Sequence, residues 1–224
     1  MYSLKALGLA SLLAFSTLQS SANAQSHPAH ENVFPMKDFV AGQWVEVVWG
    51  DFTRPGEPFV LRIHNDAGYI VFPHTHPIDE NLTVIKGSWA LGMGRLYDPS
   101  LLKPMELGTF GIAGANMNHF GYAKTESILQ VHGIGPFSSI LVDPVYELTG
   151  EGVFLLKSLL RPGTPTTSNP PDCFVFKVGT HVRSSRGEGA ILGARCSPAN
   201  KITQYWVQKA NGDRYWATTP DLKP

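Results

Sequence analysis

The sequence predicts an all-β protein: a strand-built barrel carrying a metal site, and a second, smaller barrel after it. Three observations lead there. Its 22 glycines and 17 prolines, with no long amphipathic helical period, favour short strands and many turns. Between Gly68 and Gly87, residues His74, His76 and Glu80 stand at a spacing that can grip one ion from two neighbouring β-rich runs. Charge is split although the chain is neutral overall: residues 25–172 carry nine Lys/Arg against fifteen Asp/Glu, and residues 173–224 carry eight against three. A net −6 followed by a net +5 marks two units. The opposite charges imply mutual attraction, or an anionic partner for the small basic unit.

The chain opens on an export signal. Lys5 supplies the positive start, residues 6–18 the short apolar core, and Ala22, Asn23 and Ala24 a small-x-small cleavage site. Residues 1–24 are therefore expected to be removed after Ala24, leaving Gln25 first. An uncleaved anchor is the alternative, but the apolar run falls short of the roughly 18 residues of a bilayer span, and so does every later stretch. A periplasmic or secreted location follows. A free amine with His27 in third position can also chelate copper or nickel, unless Gln25 cyclises.

Residues 25–32 are polar and expected to fray. Nine strands are then expected in order, at 44–49, 59–63, 69–72, 82–85, 89–93, 109–112, 120–123, 128–131 and 138–142, with one helical turn on an insertion at 97–105. The Gly, Pro, Asn and Asp between them are what turns require. So many short strands suit a sandwich or barrel better than a parallel α/β sheet. Residues 157–172 hold four prolines among Ser, Thr and Asn and read as a semi-extended linker. Five brief strands follow at 174–178, 181–184, 190–194, 203–207 and 214–217, the last two joined by an Asn211-Gly212 hairpin signal.

The chemistry concentrates in one run. His74 and His76 are two apart, so a strand points both imidazoles to one side. Pro77 cannot donate to a ladder and turns the chain. Glu80 opens the apolar run Leu82 to Ile85 and can swing back as a third ligand. Neutral imidazoles and a carboxylate suit a divalent first-row transition metal.

The run GYIVFPHTHPIDENLTVIKG resembles the first motif of the cupin superfamily at its five fixed positions, Gly68, His74, His76, Glu80 and Gly87. A second segment, Leu107 to Phe120, is similar to the family's second motif in Gly108, in the Ala113-Gly114 turn, and in His119 followed by an aromatic. It departs in having Ile112 where proline is usual, and in a longer turn between Gly114 and His119. Residues 130–137, QVHGIGPF, also resemble a run in exported single-domain cupins of the ChrR-like kind. The resemblance spans residues 33–150. It implies a double-stranded β-helix jelly roll with His74, His76, Glu80 and His119 as metal ligands. Fe2+ is the preferred ion, with Mn2+, Ni2+ or Zn2+ as alternatives. A homodimer is a further expectation by resemblance.

Other residues carry two readings each. His132 could serve as an acid/base beside the metal or simply fill a strand. Glu80 could leave the ion to act as a base. Trp44, Trp49, Trp89, Met93, Phe110 and Tyr122 could line the lumen or fill core. His64, next to Asn65 and Asp66, is expected to be solvated in a turn, Asp79 at the surface, and His181 to need no chemistry. Cys173 and Cys196, the only cysteines, read as a disulfide in an oxidising compartment, with two free thiols as the alternative. Residues 173–224 resemble small SH3-like barrels of the KOW kind through Lys177 to Gly179 and Arg186 to Gly189. Arg183, Arg186, Arg195, Lys201, Tyr205, Trp206 and Trp216 are its candidate surface residues, facing an anionic polymer or a protein; nucleic acid is disfavoured for an exported chain.

The function expected is that of an exported metal-dependent enzyme on a small organic substrate, by dioxygenase-type or by isomerase or lyase chemistry. The chain offers no Gly-rich phosphate loop and no evident Ser-His-Asp or Cys-His system. A non-catalytic sensing or metal-binding module, relaying to a partner through the basic unit, is the alternative.

Overall fold

Alternation of buried and exposed residues sets the strands. In residues 127–132, Ser127, Leu129 and Val131 face inward while Ile128, Gln130 and His132 face outward, the period of two that a half-buried strand imposes. The computed structural model describes residues 32–34, 42–158, 166–167 and 172–224. The export signal, the His27 chelate and most of the linker lie outside the described residues.

Along the chain run β1 (Asn32–Phe34), β2 (Gln43–Gly50), β3 (Pro58–Asn65), β4 (Ile70–Thr75), β5 (Glu80–Lys86), β6 (Trp89–Met93), β7 (Lys103–Met105), β8 (Phe110–Ala113), β9 (His119–Ala123), β10 (Ser127–Ile134), β11 (Ile140–Thr149) and β12 (Gly152–Ser158). They are followed by β13 (Thr166–Thr167), β14 (His181–Ser184), β15 (Gly187–Ser197), β16 (Ile202–Gln208) and β17 (Arg214–Thr218). The helical turn expected near residue 100 is a single 3-10 turn, Pro99–Leu101, capped by the Asp98 carboxylate.

From β3 to β11 the chain shuttles between two sheets. Strands β3, β10, β5 and β8 are neighbours in one; β11, β4, β9 and β6 are neighbours in the other. Every pairing is antiparallel. This alternate winding is a double-stranded β-helix, a jelly roll. Its core lies between the sheets, where Phe59, Leu61, Leu82, Val84 and Val131 are at most 2% exposed. Both glycines that frame the histidine run turn the chain at positive φ, +87° at Gly68 and +74° at Gly87. A Cβ at Gly87 would lie 2.0 Å from the Glu126 carbonyl oxygen, so only glycine fits that turn.

The small C-terminal unit is not a detached body. Strand β15 pairs with β11, Glu147 opposite Arg195, so the second sheet of the jelly roll runs on into β15, β16 and β17. Strand β14 pairs with β15, and a bridge between Arg183 and Lys223 closes the curl around Val182, Ile191, Tyr205 and Val207. The strand expected at 174–178 does not form. Instead the Val175 and Phe176 N–H groups donate to the Tyr205 hydroxyl at 2.8 and 3.2 Å. Cys173 and Cys196 are joined as a disulfide across 23 residues, and no described cysteine is free.

Three of the expected surface residues of this unit are buried. Arg195 is 1% exposed, Tyr205 0% and Trp216 3%. The strand joint explains why. Arg195 Nε stands 3.2 Å from Glu147 Oε1, its Nη1 donates to the Ile70 carbonyl at 3.2 Å, and its guanidinium lies over the Tyr69 and Phe72 rings. Gln204 reads the backbone on both sides of Tyr69, accepting from Ile70 N–H and donating to the Gly68 carbonyl. Trp216 meets Tyr69 edge-on. Arg195 and Glu147 thus form a buried ion pair between the acidic and the basic unit.

Candidate metal centre

Two devices bring the histidines together. Strand β4 carries a register shift between Val71 and His74, at Pro73, which cannot donate to the ladder. The shift breaks the two-residue period, so Val71 and His74 both face the cavity. His74 also sits opposite His119 in the β4–β9 pair. His76 follows just past the strand end. The long turn before His119 is clamped to the first motif: Asn116 N–H donates to the His76 carbonyl at 2.8 Å, and Ala115 N–H to Asp79 Oδ1 at 2.7 Å. Asn116 adopts the left-handed conformation there, φ +59°, which asparagine tolerates. Asp79, exposed as expected, therefore helps to place His119.

One ligand-type nitrogen from each of His74, His76 and His119 lies within 4.8 Å of the other two, and all three residues are buried. Each Nδ1 faces a backbone carbonyl: that of Phe72 at 2.8 Å, of Ser138 at 2.7 Å and of Met117 at 3.0 Å. A carbonyl can only accept, so Nδ1 carries the proton in each ring and Nε2 keeps its lone pair for the centre. Phe137 stacks on His76 at 4.3 Å between ring centroids and fixes its plane. Glu80, at the start of β5, places Oε2 3.2 Å from His119 Nε2 and 3.5 Å from His76 Nε2. Neither contact is aligned as a hydrogen bond, and both nitrogens are buried without another partner.

The electrostatics match that geometry. Burial pushes the His74 imidazole well below the ordinary histidine value, and charge on His119 and His76 adds to the effect. Burial would raise Glu80, but the two facing imidazoles outweigh it and hold the carboxylate well below its usual range. Burial opposes charge on His119 too, yet Glu80 wins and raises it. A proton on His119 or a bound cation would each be favoured beside an ionised Glu80. Three inward lone pairs and one carboxylate therefore fit a divalent transition ion.

The cavity beside these groups measures about 40 Å³ and is walled by Ile63, Val71, Leu82, Trp89, Leu129 and Phe137. Trp89 enters because Gly121 has no side chain; a Cβ there would lie 2.0 Å from Trp89 Cζ2. Gln43 also reaches this cavity, held by Asn65, whose Oδ1 accepts from its Nε2 at 2.9 Å. Sequence reading missed Gln43, Asn65 and Phe137, because only the closed sheets show which strand residues face the lumen.

His132 is not at the site. It is exposed on β10, opposite in parity to the buried Val131, and shares the outer face with Phe110. Trp44, Trp49, Met93 and Phe110 are likewise exposed, while Trp89 lines the cavity and Tyr122 packs against the core. His64 is no turn residue: it lies in β3, half-buried, stacked on Trp44 at 3.4 Å and beside Glu46.

No protein-family model matches the chain, and a search of curated proteins finds no match. Among solved structures it is similar to an uncharacterised double-stranded β-helix protein from Klebsiella pneumoniae (18% identity, 56% of this chain and 98% of that one, TM-score 0.39). It is also similar to an RmlC-like cupin from Desulfovibrio desulfuricans (20%, 49% and 98%, 0.36). A third is a point mutant of salicylate 1,2-dioxygenase from Pseudoaminobacter salicylatoxidans (16%, 44% and 28%, 0.36). At these identities neither activity nor substrate carries over.

Proposed function

We propose that this chain is an exported, metal-dependent cupin enzyme acting on a small organic substrate, by dioxygenase-type or by isomerase or lyase chemistry. The observation that supports it best is the set of three buried imidazoles whose Nδ1 groups are all spent on backbone carbonyls, so that three Nε2 lone pairs are left for a common centre, two of them beside Glu80. A histidine that merely fills a core needs no such common orientation. His74, His76, His119 and Glu80 would hold the ion, with Fe2+ first in preference and Mn2+, Ni2+ or Zn2+ after it. When bound, such an ion supplies Lewis acidity or, as Fe2+, redox chemistry with dioxygen.

The chain's own residues set the rest. The apolar wall keeps bulk water from the centre, and about 40 Å³ admits only a compact substrate or one end of a longer one. Glu80, ionised and off line from both imidazoles, is the one carboxylate among the cavity residues and the group available to take a proton. Gln43 is the amide available to orient a polar substituent. Export rests on the signal of residues 1–24 and is supported by the disulfide. The curled C-terminal sheet with its own core supports the SH3-like reading of that unit.

The test is elemental analysis of the protein purified from its exporting compartment, together with His74→Ala and His119→Ala. About one first-row ion per chain is expected in the parent and less than about a tenth of that in either variant, at similar folded circular dichroism. Full retention of the ion in both variants would refute the reading. The metal found then directs the assay, oxygen uptake for iron and proton exchange or elimination for the others.

A further inference from the structure

A second cavity lies where the jelly roll meets the C-terminal unit, away from the histidines. It measures about 770 Å³ and shares no lining residue with the first. One wall comes from the 3-10 insertion and β9, with Tyr97 and Tyr122; the other from the turns of the small unit, with Arg186, Lys201 and Thr219. We infer that this cleft is a second binding site, for an acidic oligosaccharide or a ligand of the same polyhydroxylated, anionic chemistry.

The cleft is built and braced. Its floor is the Gln204 amide, pinned by Ile70 N–H and the Gly68 carbonyl at 3.1 and 2.8 Å. The turn that carries Lys201 is tied across to the opposite wall, because Asn200 Oδ1 accepts from Tyr97 N–H at 2.6 Å. Its Nδ2 donates to Ser197 Oγ at 2.6 Å on its own side. Arg186 is steadied by a bond from Nη1 to the Trp216 carbonyl at 3.2 Å. The Gln204 and Asn200 bonds cross from one unit to the other.

The lining holds two cations and one carboxylate, a positive balance that favours an anion. Arg186 and Lys201 are both exposed, and the one carboxylate of the lining, Asp221, is already engaged by the Thr218 N–H and hydroxyl. The remaining lining selects a sugar. Tyr97 and Tyr122, half-buried in one wall, give it an aromatic side for the C–H groups of a pyranose, while Ser185 and Thr219 bring hydroxyls to the lining. The volume falls in the range of about 300–1,000 Å³ usual for small-molecule sites.

Titration calorimetry of the full chain with cellobiouronic acid, with neutral cellobiose and with sulfate tests this. Saturable binding of the acid disaccharide is expected, at least tenfold weaker binding of cellobiose, and weaker binding of sulfate. The double variant Arg186→Gln/Lys201→Asn, whose asparagine tolerates the φ of +53° at residue 201, should lower the affinity at least tenfold without lowering Tm. His74→Ala should leave it unchanged. The proposal is overturned if the acid disaccharide does not bind, if cellobiose or sulfate binds as well, if the double variant binds normally, or if His74→Ala abolishes binding and so moves the ligand to the histidine centre.

Discussion

At the scale of single residues, the second nitrogen of each imidazole decides what the first can do. Three backbone carbonyls hold three Nδ1–H groups, and the cost of that order is built into the fold before any ion arrives. His132 lacks any such partner role and faces solvent, so His132→Ala should leave metal content unchanged and move stability by no more than about 0.5 kcal/mol. A loss of metal in that variant would bring His132 back into the site. Gly121 is the opposite case, a residue that matters by what it lacks. Gly121→Ala drives a methyl into the space of Trp89 and should cost about 1–3 kcal/mol, measured as a lower urea midpoint. An unchanged midpoint would mean that Trp89 can leave the cavity freely.

At the scale of elements, β4 does two jobs with its two faces. One face presents Val71 and His74 to the cavity; the other lies under Arg195 and Gln204 from the C-terminal unit. That double burial is why β4 is apolar almost throughout, and the sequence showed it as an uninterrupted run. Arg195→Met removes a cation that is 1% exposed and leaves Glu147 without it, a loss of about 3–5 kcal/mol. The double variant Arg195→Met/Glu147→Leu should regain most of that loss. Thermal unfolding of the two variants and the parent decides it, and a single variant as stable as the parent would show that the pair contributes little. The histidine spacing was legible in the sequence, since period two and a proline turn are local facts. The register shift at Pro73 was not, because it is defined only against β9.

At the scale of the whole molecule, one sheet runs through both units, so they should melt together. Calorimetry of the intact, oxidised chain should give a single transition, and two well-separated transitions would contradict the shared sheet. Removing residues 173–224 strips Arg195 from Glu147 and uncovers Tyr69 and Phe72, which argues against treating the small unit as a detachable relay. Thiol titration of the denatured, unreduced protein should find no free cysteine, and reduction should cost roughly 3 kcal/mol in the chain-entropy account. Two titratable thiols would remove that link.

The nine jelly-roll strands, the position of the histidine run and the pairing of the cysteines were readable from the chain, because each rests on local periodicity, turn chemistry or residue type; β1, β7, β12 and β13 were not expected, and the strand expected at 174–178 is absent. The nine expected strands of the jelly roll all appear, with bounds that differ by up to seven residues, at the end of β11, where pairing with β12 and β15 extends it. Burial of Arg195, Tyr205 and Trp216, the outward turn of His132 and the cleft between the units were decided only in three dimensions. The physical reason is common to them: a side chain's fate there depends on which distant strand comes to lie against it, and a charge such as Arg195 is tolerated inside only because Glu147, 48 residues earlier, is brought opposite.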